Sequence, residues 1–279
     1  MSQTEDLLQQ ETWRFWDQSL SGKSRSALES FASDDLLCHL VGQGQSPATV
    51  RTWVHDNTVV LGIQDHRLPF VEDAQNFLRS QGYAPIVRNS GGLAVVLDEG
   101  VLNISIVLSE IDKSIDIPTG YEVMLEFVRL LFPEAEGKIE AYEIVGSYCP
   151  GSYDLSIGGK KFAGISQRRL RQGIAVQVYL CVEGSGSERA DLIRQFYEYG
   201  VQGEETKFSY PVINPDVMAS LNELLGASFT VEDIVIRIQQ MLHHLSTNVV
   251  SQSVTQEEME LYLFYLQRVV DRNKKMLEK

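Results

Sequence analysis

The chain has 279 residues, 43% hydrophobic and 22% charged, a composition that excludes a disordered chain. Its 24 Lys and Arg against 38 Asp and Glu leave a net charge of −14, so it carries no basic footprint for nucleic acid or an anionic membrane surface. No apolar run reaches the ~20 residues of a membrane span, the amino terminus lacks a signal-peptide pattern, and three cysteines without paired spacing fit a reducing compartment; the expected location is the cytoplasm.

In chain order, Trp13–Gln18 reads as a strand. A helix follows from Ser26, whose spacing to Glu29 is that of a capping box, with Leu28, Phe31, Leu36, Leu37 and Leu40 as its apolar stripe and Gly42 as its stop. Thr49–Val54 and Thr58–Ile63 read as strands paired across His55-Asp56-Asn57, and Phe70–Ser80 as a helix ending at Gly82. Ala84–Arg88 and Leu93–Leu97 are β segments flanking Gly91-Gly92, and Leu102–Leu108 continues that sheet. Tyr121–Phe132 is a helix closed by Pro133, Ile139–Ile144 a strand, Asp154–Val182 the strongest β signal, and Ser187–Tyr199 a helix. After Pro211 and Pro215 everything reads helical: Asp216–Leu225, Val231–Leu245 and Gln256–Lys279, with capping-box spacing at Thr230/Asp233 and Thr255/Glu258. The expected fold class is α+β, mixed sheets packed with helices. Residues 1–210 form its body and 211–279 a helical C-terminal part.

Of the three thiols, Cys38 and Cys181 lie in apolar helical and strand patterns, where a free cysteine is a small core side chain. Cys149 lies in Gly146-Ser147-Tyr148-Cys149-Pro150-Gly151, a loop, and loop thiols are where nucleophiles sit. At an ordinary pKa near 8.5 only roughly 3% of a thiol is ionised at pH 7, so a nucleophile needs a nearby base or cation. None of the five histidines lies near Cys149 in sequence.

A cation is offered by Asp154–Ala163, which reads as a hairpin turning on Gly158-Gly159. Its register sets Ile157 against Lys160, Ser156 against Lys161, Leu155 against Phe162 and Asp154 against Ala163. Alternation then puts Lys161 on the small polar face with Asp154, Ser156 and Ala163, aimed at a site, and leaves Lys160 solvated. The Cys149 loop must fold back over this hairpin for thiol and lysine to meet. Gly91-Gly92 after a strand would let a ligand approach the backbone closely. Arg168, Arg169 and Arg171 form a local basic patch able to dock an acidic partner. No metal-ligand cluster and no GxGxxG or GxxxxGK[ST] motif is present.

Arg88-Asn89-Ser90-Gly91-Gly92 with Asp98 resembles the R-x-S-G-G-G-A-V-x-H-D segment of the superfamily of lipoate ligases, biotin ligases and octanoyltransferases. Gly159-Lys160-Lys161-Phe162-Ala163-Gly164 resembles its lysine-bearing segment. The run SYCPGSYDLSIGGKKFAGISQRR, with RTWVHDNTVVLGIQD and the helical tail, is similar to one branch, the octanoyl-[H protein]:protein N-octanoyltransferases of Gram-positive bacteria.

That resemblance implies transfer of an octanoyl group from the lysine of the glycine-cleavage H protein to lipoyl-domain lysines of 2-oxo acid dehydrogenase acyltransferase subunits, without metal, ATP or another cofactor. It implies Cys149 as the nucleophile, held as a thioester, and Lys161 as the lysine that lowers its pKa and serves in acid–base steps. It further implies substrate binding by Arg88, Ser90, Gly91, Gly92 and Gly164. Because lipoyl domains are commonly acidic, Lys160, Arg168, Arg169 and Arg171 are the expected docking cations. Val59, Leu61, Val95 and Ile104 are candidate linings for an apolar slot, where each buried methylene contributes about 0.8 kcal/mol. Two positions depart from the superfamily pattern: its third glycine is Leu93 here and its histidine is Leu97, and both weigh against nucleotide use. The alternatives are an ATP-dependent lipoate ligase, octanoyl transfer from acyl carrier protein, and a lipoyl-domain binding protein without catalysis.

Overall fold

Runs rich in β-branched and aromatic residues make the strands, and capped apolar segments make the helices, of the computed structural model, which describes residues 3–22, 24–88 and 91–277. In chain order the elements are α1 (Gln3–Leu8), β1 (Gln10–Gln18), α2 (Ala27–Gly42), β2 (Thr49–Trp53), β3 (Thr58–Leu61), α3 (Val71–Ser80), β4 (Ala84–Val87), β5 (Val95–Leu97), β6 (Val101–Ser109) and α4 (Ile117–Leu131). They continue with β7 (Ile139–Ala141), β8 (Asp154–Ile157), β9 (Lys160–Leu170), β10 (Gly173–Cys181), α5 (Gly186–Val201), α6 (Leu221–Leu225), α7 (Val231–Leu245), β11 (Ser246–Ser251) and α8 (Met259–Leu277). An eight-stranded sheet has the order β11-β1-β2-β6-β10-β9-β8-β7, and a three-stranded sheet the order β4-β3-β5. The class is α+β, as expected. No helix among the described residues is long and apolar enough to cross a membrane.

Several local readings are corrected by long-range pairing. β2 and β3 do not form a hairpin. β2 pairs with β1 and β6 in the large sheet, whereas β3 pairs with β4 and β5 in the small one. β6 likewise belongs to the large sheet and does not continue the strands around Gly91-Gly92. The tail is not wholly helical: Ser246–Ser251 is a strand, parallel to β1 at the edge of the large sheet, and α8 packs on α2. α4 begins before Tyr121 because Asp116 caps it, accepting from the Thr119 N–H at 2.7 Å, with Pro118 in its first turn. The strand read as Ile139–Ile144 stops at Ala141. The Thr230/Asp233 capping box forms as read, but Ser26 accepts from the Leu28 N–H and makes no box with Glu29.

α2 departs most from its pattern. It has no single apolar stripe, because all but two of its residues are buried, including Asp34 and Asp35 in mid-helix. It covers the face of the large sheet that carries Arg51, Trp53, Asn103, Ser105 and Gln177, a polar face that alternation alone would assign to solvent. The opposite face carries Ile104, Ile106, Ile174, Val176 and Val178 in the main apolar core.

Asp34 satisfies the covered polar groups. It accepts from Arg51 Nη2 at 2.7 Å, from Ser105 Oγ at 3.0 Å, and from Gln177 Nε2. Ser105 in turn accepts from Trp53 Nε1 at 3.2 Å, which fixes the indole.

His55 closes this network. Its Nδ1 donates to the Gly22 carbonyl and its Nε2 accepts from Ser30, both at 2.9 Å. Burial pulls its pKa down to about 4. The unfolded histidine takes its proton below about 6.5, so His55 contributes full stability above that pH and loses it as pH falls toward 4. The loss is about 3 kcal/mol at 1.36 kcal/mol per unit. Asp65, pushed up to about 6 by its burial, works in the opposite direction in the same range. His55→Gln therefore flattens the acid limb of stability between pH 6.5 and 4. Urea midpoints of both proteins across that range measure it, and equal slopes would refute it.

Candidate active site

The connection from β7 to β8 folds back over the β8–β9 hairpin, as the thiol and lysine required. Two buried charges staple it there. Lys161 Nζ donates to the carbonyl oxygens of Tyr148 at 2.9 Å and Cys149 at 3.0 Å, and to Ser147 Oγ at 3.3 Å. It also pairs with the Asp154 carboxylate at 2.8 Å, both side chains being almost wholly buried. Asp154 binds the other limb of the loop, accepting from the N–H groups of Ile144 and Gly151 at 3.1 Å. Burial raises the Asp154 pKa, and the ammonium and these N–H groups oppose that rise.

The hairpin register explains why this lysine points inward. Ser156 faces Lys161 and Ile157 faces Lys160, as alternation requires. Beyond that a bulge shifts the pairing: Leu155 faces Ala163 and Asp154 faces Gly164, not Phe162 and Ala163. Ala163 thereby joins Leu155 and Phe162 in the apolar core instead of the polar face. Lys161 is fully buried, while Lys160 is exposed at the hairpin tip.

Cys149 adopts φ +44°, a left-handed conformation rare for a residue with a side chain. Its sulfur meets the small-sheet loop and not the lysine ammonium. The Leu93 N–H donates to Sγ at 3.2 Å, and Arg88 Nη2 at 3.5 Å. Gly92, at φ +101°, permits this approach, since a Cβ there would stand 2.2 Å from Arg88 Nη2 and 3.2 Å from Sγ. Burial pushes Cys38 and Cys181 up, so neither competes as a thiolate, and Cys149 alone of the three cysteines is half-exposed.

Behind the sulfur lies a cavity of about 300 Å³ between the two sheets, with Phe31, Trp53, Val60, Val95 and Leu97 supplying its apolar wall. That size and lining suit a small apolar ligand with one polar end. Of the residues expected to line a slot, Val95 does so. On β3 the lining residue is Val60, one step out of phase with Val59 and Leu61, and Ile104 faces the opposite core.

The structure gathers Arg88, Gly91, Gly92, Cys149 and Gly164 around this cavity, with Lys161 beneath the Cys149 loop. Ser90 lies outside the described residues. Arg168, Arg169 and Arg171 follow the cavity residues Ser166 and Gln167 and lie far from Lys161 along β9 and its turn. Arg168 is seven residues along β9 from Lys161, roughly 23 Å at strand rise. Arg168 pairs with Asp35 at 2.6 Å and Arg169 with Glu110 at 3.2 Å. Sequence reasoning missed Asp154 as the partner of Lys161, and Trp53, Gln177 and Tyr179 as cavity residues. Among the described residues no group of three His, Cys, Asp or Glu side chains could hold a metal ion.

A family model described as the lipoyl protein ligase A/B catalytic domain matches residues 26–246. An octanoyl-[GcvH]:protein N-octanoyltransferase of Lysinibacillus sphaericus is 67% identical over 273 residues, covering 98% of each chain. One of the same name from Anoxybacillus flavithermus is 56% identical over 98% of each chain. A lipoyl-[GcvH]:protein N-lipoyltransferase of Listeria monocytogenes is 48% identical, covering 97% of this chain and 98% of that one. Among solved structures, a Thermoplasma acidophilum putative lipoate protein ligase with bound lipoic acid superposes with TM-score 0.67 at 15% identity, covering 93% of this chain and 95% of that one. A lipoate-protein ligase A bound with ATP superposes with TM-score 0.65 at 17% identity, covering 87% and 90%. At such identities these structures speak for the fold alone.

Proposed function

The chain belongs to the lipoyl protein ligase A/B catalytic domain family, and we propose that it is an octanoyltransferase drawing on the lysine amide of the glycine-cleavage H protein. The acceptors in this reading are lipoyl-domain lysines of 2-oxo acid dehydrogenase acyltransferase subunits, in the cytoplasm. One observation carries it: a half-exposed thiol, held by two N–H donors, stands at the head of an apolar cavity.

In this reading the Cys149 thiolate attacks the amide carbonyl carbon. The C–N bond breaks, the acyl carbon stays on sulfur, and the thiol proton ends on the departing lysine amine. Lys161, whose ammonium holds the loop carbonyls and does not meet Sγ, is assigned as the charge beneath the loop and, in the substrate complex, as the relay of that proton. The acceptor lysine then attacks the thioester and regenerates the thiol. The Leu93 N–H and Arg88 donate to Sγ and hold the sulfur at the head of the cavity. Burying each methylene of the octanoyl chain contributes about 0.8 kcal/mol, which lets the chain anchor the carbonyl beside sulfur. Docking of acidic carriers is assigned to exposed Lys160 and, with their charges already paired to Asp35 and Glu110, less to Arg168 and Arg169; exposed Arg171 completes the set.

The test mixes the protein with octanoylated H protein and an unmodified lipoyl domain, without ATP, and follows all three masses. Octanoyl leaves the first, appears transiently on the enzyme as a thioester, and arrives on the last. Acylation of the lipoyl domain only from free octanoate with ATP would replace this reading with ligation.

A further inference from the structure

Tyr179 carries a hydroxyl that has no partner among the described residues. The residue is 8% exposed and its oxygen is buried with no hydrogen-bond partner among the described residues. Buried hydroxyls are almost always satisfied, and leaving one unpaired costs about 1–3 kcal/mol, so such a group calls for an explanation. The explanation lies in its position. Tyr179 lines the cavity that Cys149 heads, and it is close enough to Cys149 and Asp154 for their charges to act on it.

The surroundings hold the ring firmly. Tyr179 sits opposite Gly164 on the neighbouring strand, where a Cβ would come within 2.6 Å of its Cε1. Its ring stacks on Tyr148 with centroids 5.8 Å apart, and Lys161 Nζ lies 5.8 Å from its centroid. Gly164 is thus required by the tyrosine, which ties that position to the ring as well as to any ligand.

An alkyl chain can offer this hydroxyl nothing. In an acyl–lysine amide the N–H is a donor, and the carbonyl oxygen is the acceptor. We infer that the Tyr179 hydroxyl donates to the carbonyl oxygen of the bound acyl group and holds the oxyanion that forms when Cys149 attacks. No proton is transferred: the hydroxyl keeps its hydrogen, and the electron pair returns from the oxyanion as the C–N bond breaks. Burial pushes the phenol pKa well up, which keeps it a donor. The inference rests on the reading of Cys149 as nucleophile.

Tyr179→Phe tests it with the full-length protein, octanoylated H protein and a lipoyl domain. Loss of one oxyanion donor slows reaction about 10²–10³-fold. The expected result is a fall of about 100-fold in the rate of enzyme acylation, with KM within about twofold and an unchanged pH profile. The same oxyanion forms when the acceptor lysine attacks the thioester, so deacylation should fall by a similar factor. Melting temperature should hold or rise, because an unsatisfied buried hydroxyl is removed. Activity within about threefold of wild type, a loss confined to one half-reaction, or a loss that follows a lowered melting temperature would each overturn the assignment. Cys149→Ala run alongside separates the two claims. If it still transfers, the nucleophile reading fails; if it is inactive while Tyr179→Phe is active, only the tyrosine assignment fails.

Discussion

Cys149→Ala will leave a folded protein that transfers no octanoyl group and never carries one. Removing a nucleophile that acts in concert with its neighbours costs on the order of 10⁶ in kcat, so the loss should exceed the detection range of a mass assay. No other thiol can substitute: Cys38 and Cys181 are fully buried and their burial holds them protonated. The fold should tolerate the change, because Cys149 is only half-buried and the staples of its loop run through backbone carbonyls, which alanine keeps. Cys149→Ser should fare little better, since a serine hydroxyl is a far weaker acid than a thiol and the groups that touch Sγ, the Leu93 N–H and Arg88, are donors and not bases. Residual transfer above about 1% of wild type in the alanine protein, with no thioester trapped on the native enzyme, would remove covalent catalysis.

Much of this site was legible from sequence, for reasons that can be named. Cys149 stood out because Pro150 and Gly151 make its segment a loop, and the inward aim of Lys161 followed from a two-residue Gly-Gly turn that fixes the nearest pairs. The same logic failed three residues from the turn, where Phe162 is the extra residue of a bulge, because a bulge answers to core packing and not to local pattern. β2 and β3 looked like a hairpin because three turn-like residues separate two β runs. Their partners, β1, β6, β4 and β5, lie far along the chain, and long-range pairing overrides so short a signal. β11 had still less to announce it, being a six-residue edge strand whose partner among the described residues, β1, lies more than 200 residues upstream.

The polar cavity floor was the largest blind spot. Asn103, Ser105 and Gln177 alternate with apolar residues as a solvated sheet face would, and only the cover of α2 makes that face interior. A sequence signal did exist: Asp34 and Asp35 stand side by side at the centre of a helix whose flanks carry Phe31, Ala32, Leu36 and Leu37. Buried acids in mid-helix need donors, and Arg51, Ser105, Gln177 and Arg168 are those donors. The direct contacts of the thiol were also hidden. They come from Leu93 and Arg88 in the connection between β4 and β5, more than 50 residues upstream.

Lys161→Met should be the most damaging change beyond the thiol itself, because it strikes fold and chemistry together. It leaves the Asp154 carboxylate buried without its ammonium, and breaking a buried pair on one side costs about 3–5 kcal/mol. It also releases the Tyr148 and Cys149 carbonyls, so the strained Cys149 backbone loses its anchor. Transfer should fall at least about 10³-fold, the scale of losing an acid–base group together with its positioning. The double variant Lys161→Met with Asp154→Asn separates these contributions. Neutralising the second partner removes the orphaned charge, but the amide keeps one acceptor oxygen for the two N–H groups, Ile144 on Oδ2 and Gly151 on Oδ1, that Asp154 now satisfies. Stability should therefore recover in part, as it does when both members of a buried pair are replaced. Transfer should not recover, because the proton relay and the charge beneath Cys149 remain missing. Denaturant midpoints and single-turnover acylation rates on the same three proteins decide it. If activity returns together with stability, Lys161 serves only to hold the loop, and the proton of the departing amine must come from elsewhere.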